Sequence, residues 1–475
     1  MSKQRPKKTN LEQIAQEHFG YTRLRTGQEA AIQSVLAGRD TLVVMPTGSG
    51  KSAIYQIAAF LLSRSCVVVS PLIALQRDQV KAIEGQDVGE AAVVNSAIGT
   101  TERSEAFEQL EAGDLEFLFL APEQFNSSTT LEHLQTAKPS LFVVDEAHCI
   151  TAWGHDFRPD YLRLGQVIEA LGHPCILALT ATAAPTVRTE IVERLGMQQA
   201  SVIVQGFDRP NIWLSVNRFE DEDEKQESLV AQVVDAEKPG IVYVATRKRT
   251  EELAQRLEEQ GVRSDFYHAG MRAADRKAVE ARFMEDEVDV LVATTAFGMG
   301  VDKPNVRFVF HADISDSLDS YYQEIGRAGR DDEPAKAQLF YNPNDLNLRR
   351  FFSNRGKVKP TDINQVIAIL QQQKTPIAPK ELQEQSELSK SKLRSVLNYL
   401  AEIGVIETMP TGEVMPATLP AEVENIAEAA IQIQERQQQF ERSRLEMMRG
   451  YAEVRGCRRE FLLNYFGEKF EAPCG

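Results

Sequence analysis

The chain has 475 residues, a formal net charge of −16 and five cysteines. Its hydrophobic content of 43% and charged content of 26% are typical of a globular protein with several domains. The acidic balance disfavours a protein that coats nucleic acid through its overall charge, although local patches can still bind it. The scattered cysteines do not form a disulfide framework, and no apolar run reaches the ~20 residues that span a membrane. We therefore expect a cytoplasmic protein with no membrane segment.

Short β-branched runs alternate with helical patterns through most of the chain. The first predicted strands are 41–44, 66–69, 117–120, 141–144, 175–179 and 201–204. After Gly206 the alternation restarts with 212–216, 241–244, 262–267, 290–293, 308–310 and 337–340. Runs this apolar suit strands that are buried on both faces of a parallel sheet. The pattern predicts two doubly wound α/β domains in tandem.

Residues 45–52, Met-Pro-Thr-Gly-Ser-Gly-Lys-Ser, lie between a predicted strand and a predicted helix. The glycines let backbone N–H groups turn toward phosphate oxygens, and the helix N-terminus adds partial positive charge. Lys51 would reach the β- and γ-phosphates, and Ser52 would hold Mg²⁺. An ordinary glycine-rich turn lacks this strand context and Gly-Lys-Ser spacing, so we predict a P-loop. Its nucleotide-binding residues are Thr47, Gly48, Ser49, Gly50, Lys51 and Ser52.

Upstream of the P-loop, Gln28 ends the segment Tyr-Thr-Arg-Leu-Arg-Thr-Gly-Gln. A glutamine amide can pair with both N6 and N7 of adenine. Tyr21 could stack on the base and Arg25 could support it. Taken alone the segment is weak evidence, because an isolated glutamine usually has no such role.

Asp145 and Glu146 follow the predicted strand 141–144 directly. In a P-loop fold that strand end faces the phosphates. Asp145 can hold Mg²⁺, and Glu146 can orient and deprotonate the attacking water. His148 either couples this site to the next segment or packs in the core.

The segment that follows gathers Trp153, His155, Phe157, Arg158 and Tyr161. Exposed aromatic side chains beside cations suit the bases of single-stranded nucleic acid, where stacking contributes ~1–3 kcal/mol per base. A core-facing aromatic cluster would have the same composition, and periodicity does not distinguish the two.

In the second α/β half, Gln323, Arg327 and Arg330 belong to the segment Tyr-Gln-Glu-Ile-Gly-Arg-Ala-Gly-Arg. A guanidinium group presents a fork of N–H donors that suits the charge developing on a transferred phosphoryl group. We predict that all three residues assist catalysis, with Arg327 and Arg330 as the arginine-finger candidates. A surface arginine pair on a helix is the structural alternative.

Residues 361–408 predict a helix, a short helix, a third helix and a strand, in the order of a winged-helix module. Lys390, Lys392 and Arg394 lie early on the third helix, where a recognition helix would contact phosphates. A winged helix that docks on protein is the alternative, and the sequence leaves both open. A long helix over 422–449 follows.

These motifs together resemble the RecQ-type DNA helicases of helicase superfamily two. The matching segments are 21–28, 47–52, 70–75, 121–123, 145–161, 179–182, 207–211, 267–270, 296–300 and 323–330. The most specific is Asp-Glu-Ala-His followed by Trp-Gly-His-Asp-Phe-Arg-Pro. The resemblance implies two RecA-like motor domains whose closure on ATP brings Arg327 and Arg330 to the phosphates. It also implies 3′-to-5′ unwinding of tailed duplex DNA, with roles in repair and recombination beside single-strand-binding or repair proteins.

The resemblance resumes near Glu435 and extends to the family's four-cysteine zinc module. Cys457 and Cys474 match two of its ligands, whereas a structural Zn²⁺ takes four. We therefore expect either an incomplete zinc site or a truncated sequence. The family's winged helix with its strand-separating hairpin is not matched, and the candidate winged helix precedes the zinc segment as an insertion.

The predicted domains are the ATP-binding RecA-like domain 1–206 and the second RecA-like domain 207–348. A linker and winged-helix-like module occupies 349–418, and a helical, partly zinc-module-like segment occupies 419–475. The predicted function is ATP-dependent DNA unwinding. The alternatives are an RNA helicase, because Asp-Glu-Ala-His also occurs there, and a DNA translocase or annealing protein without robust unwinding.

Overall fold

The structure is a computed structural model. It describes residues 11–46, 48–62, 64–71, 73–86, 88–95, 98–151, 158–298, 303–353, 357–373, 375–409, 413–417, 425–468 and 470. Contacts between Cα atoms divide the chain into two compact units. The first unit contains residues 1–45, 49–205 and 358–433, and the second contains 46–48, 206–357 and 434–475. Each is described by itself.

In the described residues of the first unit, a sheet of seven strands has the order β3-β4-β2-β5-β6-β1-β7. All of the neighbouring strands in this sheet are parallel. The strands are β1 (Thr41–Val44), β2 (Cys66–Val69), β3 (Ala91–Val94), β4 (Phe117–Leu120), β5 (Leu141–Val144), β6 (Cys175–Thr180) and β7 (Ser201–Val204). The central strands are wholly buried, as their unbroken apolar runs predict.

Helices connect these strands. They are α1 (Leu11–Phe19), α2 (Gln28–Leu36), α3 (Lys51–Leu61), α4 (Ile73–Gln86), α5 (Thr100–Ala112), α6 (Ser128–Ala137), α7 (Leu164–Ala170) and α8 (Pro185–Arg194). Three short 3₁₀ turns are η1 (Pro122–Asn126), η2 (Ala147–Ile150) and η3 (Pro159–Arg163). Loops that follow the strands therefore collect at one edge of the sheet, where P-loop folds bind ligands.

In the described residues of the second unit, a sheet of six parallel strands has the order β10-β11-β9-β12-β13-β8. The strands are β8 (Ile212–Arg218), β9 (Gly240–Tyr243), β10 (Ser264–Tyr267), β11 (Val290–Ala293), β12 (Phe308–His311) and β13 (Ala335–Tyr341). The helices are α9 (Glu222–Asp235), α10 (Arg247–Glu259), α11 (Ala273–Met284), α12 (Leu318–Ile325) and α13 (Asp345–Ser353). Two doubly wound parallel sheets confirm the predicted fold class.

The predicted winged-helix module is present in the first unit. It consists of α14 (Pro360–Gln372), α15 (Pro379–Ser386), α16 (Lys390–Ile403), β14 (Ile406–Thr408) and β15 (Val414–Pro416). The last two strands pair antiparallel. Ile377, which lies between α14 and α15, forms an antiparallel bridge with Val414 of β15. Gly404 ends α16 in the left-handed region with φ of 80°. A separate apolar core, which includes Val396 and Leu400, holds the module together.

Two helices follow, α17 (Ile426–Glu453) and α18 (Arg458–Tyr465). The long helix predicted over 422–449 is therefore confirmed with shifted ends. The prediction missed β3, because this edge strand begins with two half-buried alanines of low strand propensity. None of the helices in the described part of the chain combines the length and apolar character needed to span a membrane.

Candidate nucleotide and catalytic site

The P-loop connects β1 to α3 through two glycines in the left-handed region. Gly48 has φ of 78° and Gly50 has φ of 74°, conformations that glycine adopts without steric cost. Lys51 is the first residue of α3, and its Nζ donates to the backbone oxygen of Met45 at 3.0 Å. That carbonyl is a neutral acceptor that a phosphate oxygen can replace. Thr47 lies outside the described residues.

Gln28 is joined to the P-loop by its side chain. Its Nε2 donates to the backbone oxygens of Ser49 at 3.0 Å and Gly50 at 2.8 Å. Its Oε1 accepts from the backbone nitrogen of Arg25 at 2.7 Å. A Cβ at Gly50 would lie only 2.7 Å from Gln28 Nε2, so this contact requires glycine. The amide predicted to pair with adenine must therefore exchange some of these bonds when it binds a base.

Tyr21 is half-buried and contacts Phe19 and Gln56. Its ring is parallel to that of Phe19, with centroids 6.1 Å apart, and its hydroxyl donates to Gln56 at 3.4 Å. Burial raises the pKa of the Tyr21 hydroxyl. The ring is therefore partly held, and Arg25 nearby is exposed. Their contacts to the base stay predictions.

Asp145 follows β5 at the edge of the sheet where Lys51 lies. Burial raises the pKa of its carboxyl, and the nearby Lys51 ammonium lowers it. Ser70, which follows β2, donates to Oδ2 at 3.5 Å, and the Glu146 backbone nitrogen donates to Oδ1 at 3.0 Å. Burial raises the pKa of the Tyr55 hydroxyl well above its usual value, Asp145 raises it further, and a side-chain hydrogen bond with Ser52 lowers it. Ser52 and Asp145 thus both lie near Tyr55, and their side-chain oxygens are ligands that Mg²⁺ prefers.

Glu146 has φ of 48°, a left-handed conformation that is uncommon for a residue with a side chain. Its Oε2 lies 3.3 Å from Nδ1 of His148, and that nitrogen lies 3.0 Å from Oγ1 of Thr180 at the end of β6. His148 is 3% exposed, so it both packs and links Glu146 to the neighbouring strand. Thr180 was predicted only as part of a matching segment, since a single threonine carries no signal of its own.

Trp153, His155 and Phe157 lie outside the described residues, but the residues on either side of them are well held. The Arg158 backbone nitrogen donates to the Cys149 oxygen at 3.0 Å, and its guanidinium donates to the Pro71 oxygen at 3.0 Å. Tyr161 is fully buried, and its hydroxyl donates to the Asp145 backbone oxygen at 3.0 Å. Tyr161 therefore fits the core-facing alternative that the sequence left open, because its ring packs into the core beneath the strand end that carries Asp145.

The predicted catalytic arginines of the second unit differ from each other in their surroundings. Arg327 is 8% exposed, and its Nη1 donates to the Gly298 backbone oxygen. A Cβ at Gly298 would lie 2.2 Å from Arg327 Nη2. Burial raises the pKa of neighbouring Tyr243 to about 12, while Arg327 lowers it. Arg330 and Gln323 are half-buried, although Nε and Nη2 of Arg330 are themselves enclosed.

Arg209 and Asn211 shape the turn between these arginines. Arg209 Nη2 donates to the backbone oxygens of Ala328 at 3.1 Å and Gly329 at 2.7 Å. Asn211 Nδ2 donates to the same Gly329 oxygen at 2.8 Å. The sequence showed the segment 207–211 only as a match, and its positioning role appears only when the fold brings it to the turn.

Cys457 was predicted as a zinc ligand together with Cys474. The Cys457 thiol is half-buried and caps α18, where Sγ accepts from the Glu460 backbone nitrogen at 3.5 Å. Cys474 lies outside the described residues. Within the described ranges no group of three His, Cys, Asp or Glu side chains is placed to hold a metal. The described donors therefore do not make a structural zinc site.

Three family models match the chain. The DEAD/DEAH box helicase model covers residues 25–190, and the helicase conserved C-terminal domain covers 224–332. The RecQ zinc-binding model covers 421–475. Together they cover β1 to β6 of the first sheet, β9 to β12 of the second sheet, and the C-terminal helices α17 and α18.

Two curated relatives show the extent of the similarity. A probable ATP-dependent DNA helicase RecS from Bacillus subtilis is 36% identical over 472 residues, which cover 98% of this chain and 90% of that protein. An ATP-dependent DNA helicase RecQ from Pasteurella multocida is 43% identical over 328 residues, or 69% of this chain and 51% of that protein. The chain thus spans about half the length of this RecQ relative and most of the RecS relative.

Solved structures confirm the fold. The helicase MrfA bound to DNA aligns with a TM-score of 0.59 at 18% identity, over 89% of this chain and 63% of that one. At this identity the likeness concerns the arrangement of the chain and not its substrate.

Proposed function

The chain belongs to the RecQ family of ATP-dependent DNA helicases, and from this premise we propose that it unwinds duplex DNA in the 3′-to-5′ direction. It would couple ATP hydrolysis to translocation along single-stranded DNA. The observation that carries the proposal is the hydrogen bond from Tyr161 to the Asp145 backbone oxygen at 3.0 Å. This bond ties the residues after the aromatic-rich segment to the strand end that carries the catalytic carboxylates.

The first unit supplies the nucleotide ligands. Lys51 would exchange the Met45 carbonyl for β- and γ-phosphate oxygens, and Gln28 would exchange P-loop carbonyls for the adenine edge. Ser52 and Asp145 are the residues that would hold Mg²⁺, which neutralises phosphate charge when bound. Glu146, placed by its left-handed backbone and by His148, would take the proton of the attacking water.

Arg327 and Arg330 would stabilise the charge that develops on the transferred phosphoryl group. Arg209 and Asn211 hold the turn that carries them. The Arg327 guanidinium is bonded to a backbone carbonyl in a buried position. Arg327 then acts partly by holding the segment around Gly298.

Single-stranded DNA would bind through Trp153, His155, Phe157 and Arg158. Bases stack on aromatic rings at about 1–3 kcal/mol each, without sequence preference. Movement of this segment on binding would reach Asp145 through Tyr161 and so change the hydrolysis rate. The family premise favours DNA over RNA, and a role in repair and recombination within the cytoplasm, beside single-strand-binding or repair proteins, accords with such an activity.

A strand-displacement assay tests the direction and the activity together. With ATP and Mg²⁺ the protein should release the short strand of a 3′-tailed duplex and leave a 5′-tailed duplex intact. ATPase stimulated by single-stranded DNA with both duplexes intact would instead support a translocase, and stimulation by RNA alone would support an RNA helicase.

Trp153→Ala should uncouple the two activities. Basal hydrolysis should remain, while stimulation by single-stranded DNA should fall about 5- to 100-fold, corresponding to the loss of one stacked base. Trp213→Ala is the matched control, since this exposed tryptophan lies on β8 of the second unit. Equal stimulation in Trp153→Ala and in the wild type would remove Trp153 from the DNA site.

A further inference from the structure

The winged-helix module packs on the first motor domain at two particular places. Its hairpin strand β14 contacts η1, and its third helix α16 contacts η3. An ion pair joins Glu407 of β14 to Arg163, the last residue of η3, with Oε1 and Nη2 2.8 Å apart. The module therefore rests on the turn that follows the aromatic-rich segment.

The two 3₁₀ turns also act on each other. Burial raises the pKa of Glu123 in η1, Asp160 of η3 raises it further, and Arg158 lowers it. The two turns are in direct contact with each other. The module thus contacts one connected surface formed by η1 and η3.

Residues of η3 contact both the core of the first unit and the winged-helix module. Tyr161 points inward and donates to the Asp145 backbone oxygen, while Arg163, two residues later, is bonded to Glu407. A displacement of η3 therefore changes both the support of Asp145 and the contact with the module. The buried Tyr161 makes this turn a stiff connection, because its ring is fully enclosed.

The charges of the module do not favour a role in binding phosphates. Lys392, one of its predicted recognition-helix cations, is paired with Asp362 at 2.9 Å, which lowers the pKa of that carboxyl. Glu381, Glu384 and Glu387 stand exposed on or beside the preceding helix α15. The contacts of β14 and α16 with η1 and η3 show that this part of the module packs on protein.

We propose that the winged-helix module is an internal brace, and that the Glu407–Arg163 pair positions η3 so that single-stranded DNA stimulates the ATPase. Both are positioning residues, since they act through Tyr161 and the aromatic-rich segment. The inference rests on the proposed function, because it assumes that this segment binds DNA.

Charge reversal at each partner tests the brace. Glu407→Arg and Arg163→Glu should each lower the stimulated rate, or raise the single-stranded DNA concentration for half-maximal stimulation, by about two- to fivefold, the range of one exposed ion pair. Basal hydrolysis should stay at the wild-type level. The double variant Arg163→Glu/Glu407→Arg should recover most of the DNA response, because the pair is restored with its signs exchanged.

The two single reversals change the net charge in opposite directions. If the charges acted directly on DNA, Glu407→Arg would strengthen the response and Arg163→Glu would weaken it. The brace requires both to weaken it. If either reversal melts at a lower temperature than the wild type, Glu407→Gln replaces it, because this variant keeps the side-chain shape and removes only the charge. It should also weaken the ATPase response to single-stranded DNA.

Asp362→Asn is the matched control, because it breaks the ion pair inside the module and leaves the contact with η3 intact. It should respond to DNA as the wild type does. Wild-type responses in both reversals, failure of the double variant to recover, or an equal loss in Asp362→Asn would overturn the brace. An ATPase that single-stranded DNA does not stimulate in the wild type would instead overturn the proposed function itself.

Discussion

Each unit brings a lysine to carboxylates near the ends of its parallel strands, but the two clusters differ in what surrounds them. In the first unit, half-buried Lys51 donates to a backbone carbonyl and lowers the pKa of nearby Asp145. In the second unit, Lys225 is 0% exposed and its Nζ lies 2.8 Å and 3.0 Å from the two oxygens of Asp345. Asp313 and Glu222 are 3.9 Å and 3.3 Å from the same nitrogen.

The comparison shows that charge and position alone do not make a ligand site. An ammonium has three donors, and carboxylates surround that of Lys225 on several sides. Lys51 donates to a neutral carbonyl, which a phosphate oxygen can replace, and its ammonium also lowers the pKa of Asp145. A lysine near a carboxylate is thus predicted to serve catalysis in the first sheet, whereas Lys225 fixes α9 to α13 in the second.

The largest expected effect concerns the arginines that the second unit contributes. Arg330→Ala should lower ATP turnover about 10³- to 10⁵-fold, the range for an arginine that acts on the transition state. Nucleotide affinity should change far less, since Lys51, Ser52 and Gln28 all belong to the first unit. Phosphate release and fluorescence titration of a labelled nucleotide measure the two quantities. Exposed Arg272→Ala is the control, and a loss of affinity equal to the loss of turnover would assign Arg330 to ground-state binding.

The buried cluster should respond to mutation through stability alone. Lys225→Met leaves Asp345 and Asp313 without their central cation, and breaking a buried ion pair costs about 3–5 kcal/mol. Hydrogen exchange in peptides from β9 and β12 should show the loss. Lys248→Met breaks the exposed ion pair of Lys248 with Glu252 and should change the free energy of unfolding by less than about 0.5 kcal/mol. Unchanged exchange in Lys225→Met would contradict the structural role.

Lys51→Ala should show the opposite behaviour to Lys225→Met. Turnover should fall about 10²- to 10³-fold, because a preorganised charge at the phosphates is lost. The free energy of unfolding should fall less than in Lys225→Met, because Lys51 is only half-buried, although the variant leaves buried Asp145 without the ammonium that lowers its pKa. Thermal unfolding and phosphate release check both, with exposed Lys81→Ala as control. Turnover at the wild-type level would remove the ATPase assignment.

The smallest effect is a pH dependence within the buried cluster. Burial raises the pKa of Asp345 from 3.8 to about 6, Lys225 lowers it, and Asp313 raises it; Glu222 and Arg249 also lie in this network. A raised folded-state pKa stabilises the protein below about pH 4, and this contribution is lost as pH rises through about 6. Asp345→Asn should therefore be less pH-dependent than the wild type between pH 4 and 6, by about 1–3 kcal/mol of unfolding free energy. Parallel pH profiles of the two proteins would contradict this.

The sequence located the main parts of the candidate site because each is a local signal. The P-loop spacing, the carboxylates after β5 and the apolar runs of the central strands all lie within a few residues. Local signals also predicted the winged-helix order, including the stop at Gly404. The boundaries of the predicted domains and the roles of the site residues stay predictions.

The errors and omissions involve contacts between distant segments. The sequence left open whether Tyr161 stacks on bases or packs in the core, and the fold decides it by burying the ring and bringing its hydroxyl to the Asp145 backbone oxygen. Lys225 carried no signal, since its partner Asp345 lies 120 residues away. Arg209 likewise acquires its role only at the Gly329 turn.

By itself, the sequence determined the family, the order of strands and helices, and the residue types able to bind ATP. These follow from spacing along the chain, which backbone geometry turns directly into local structure. The tertiary structure alone decided which lysine remains able to bind a ligand, which aromatic ring is buried, and where the winged-helix module docks. Those properties depend on which side chains fill the space around a group, and burial and charge pairing are set by neighbours that the sequence places far apart.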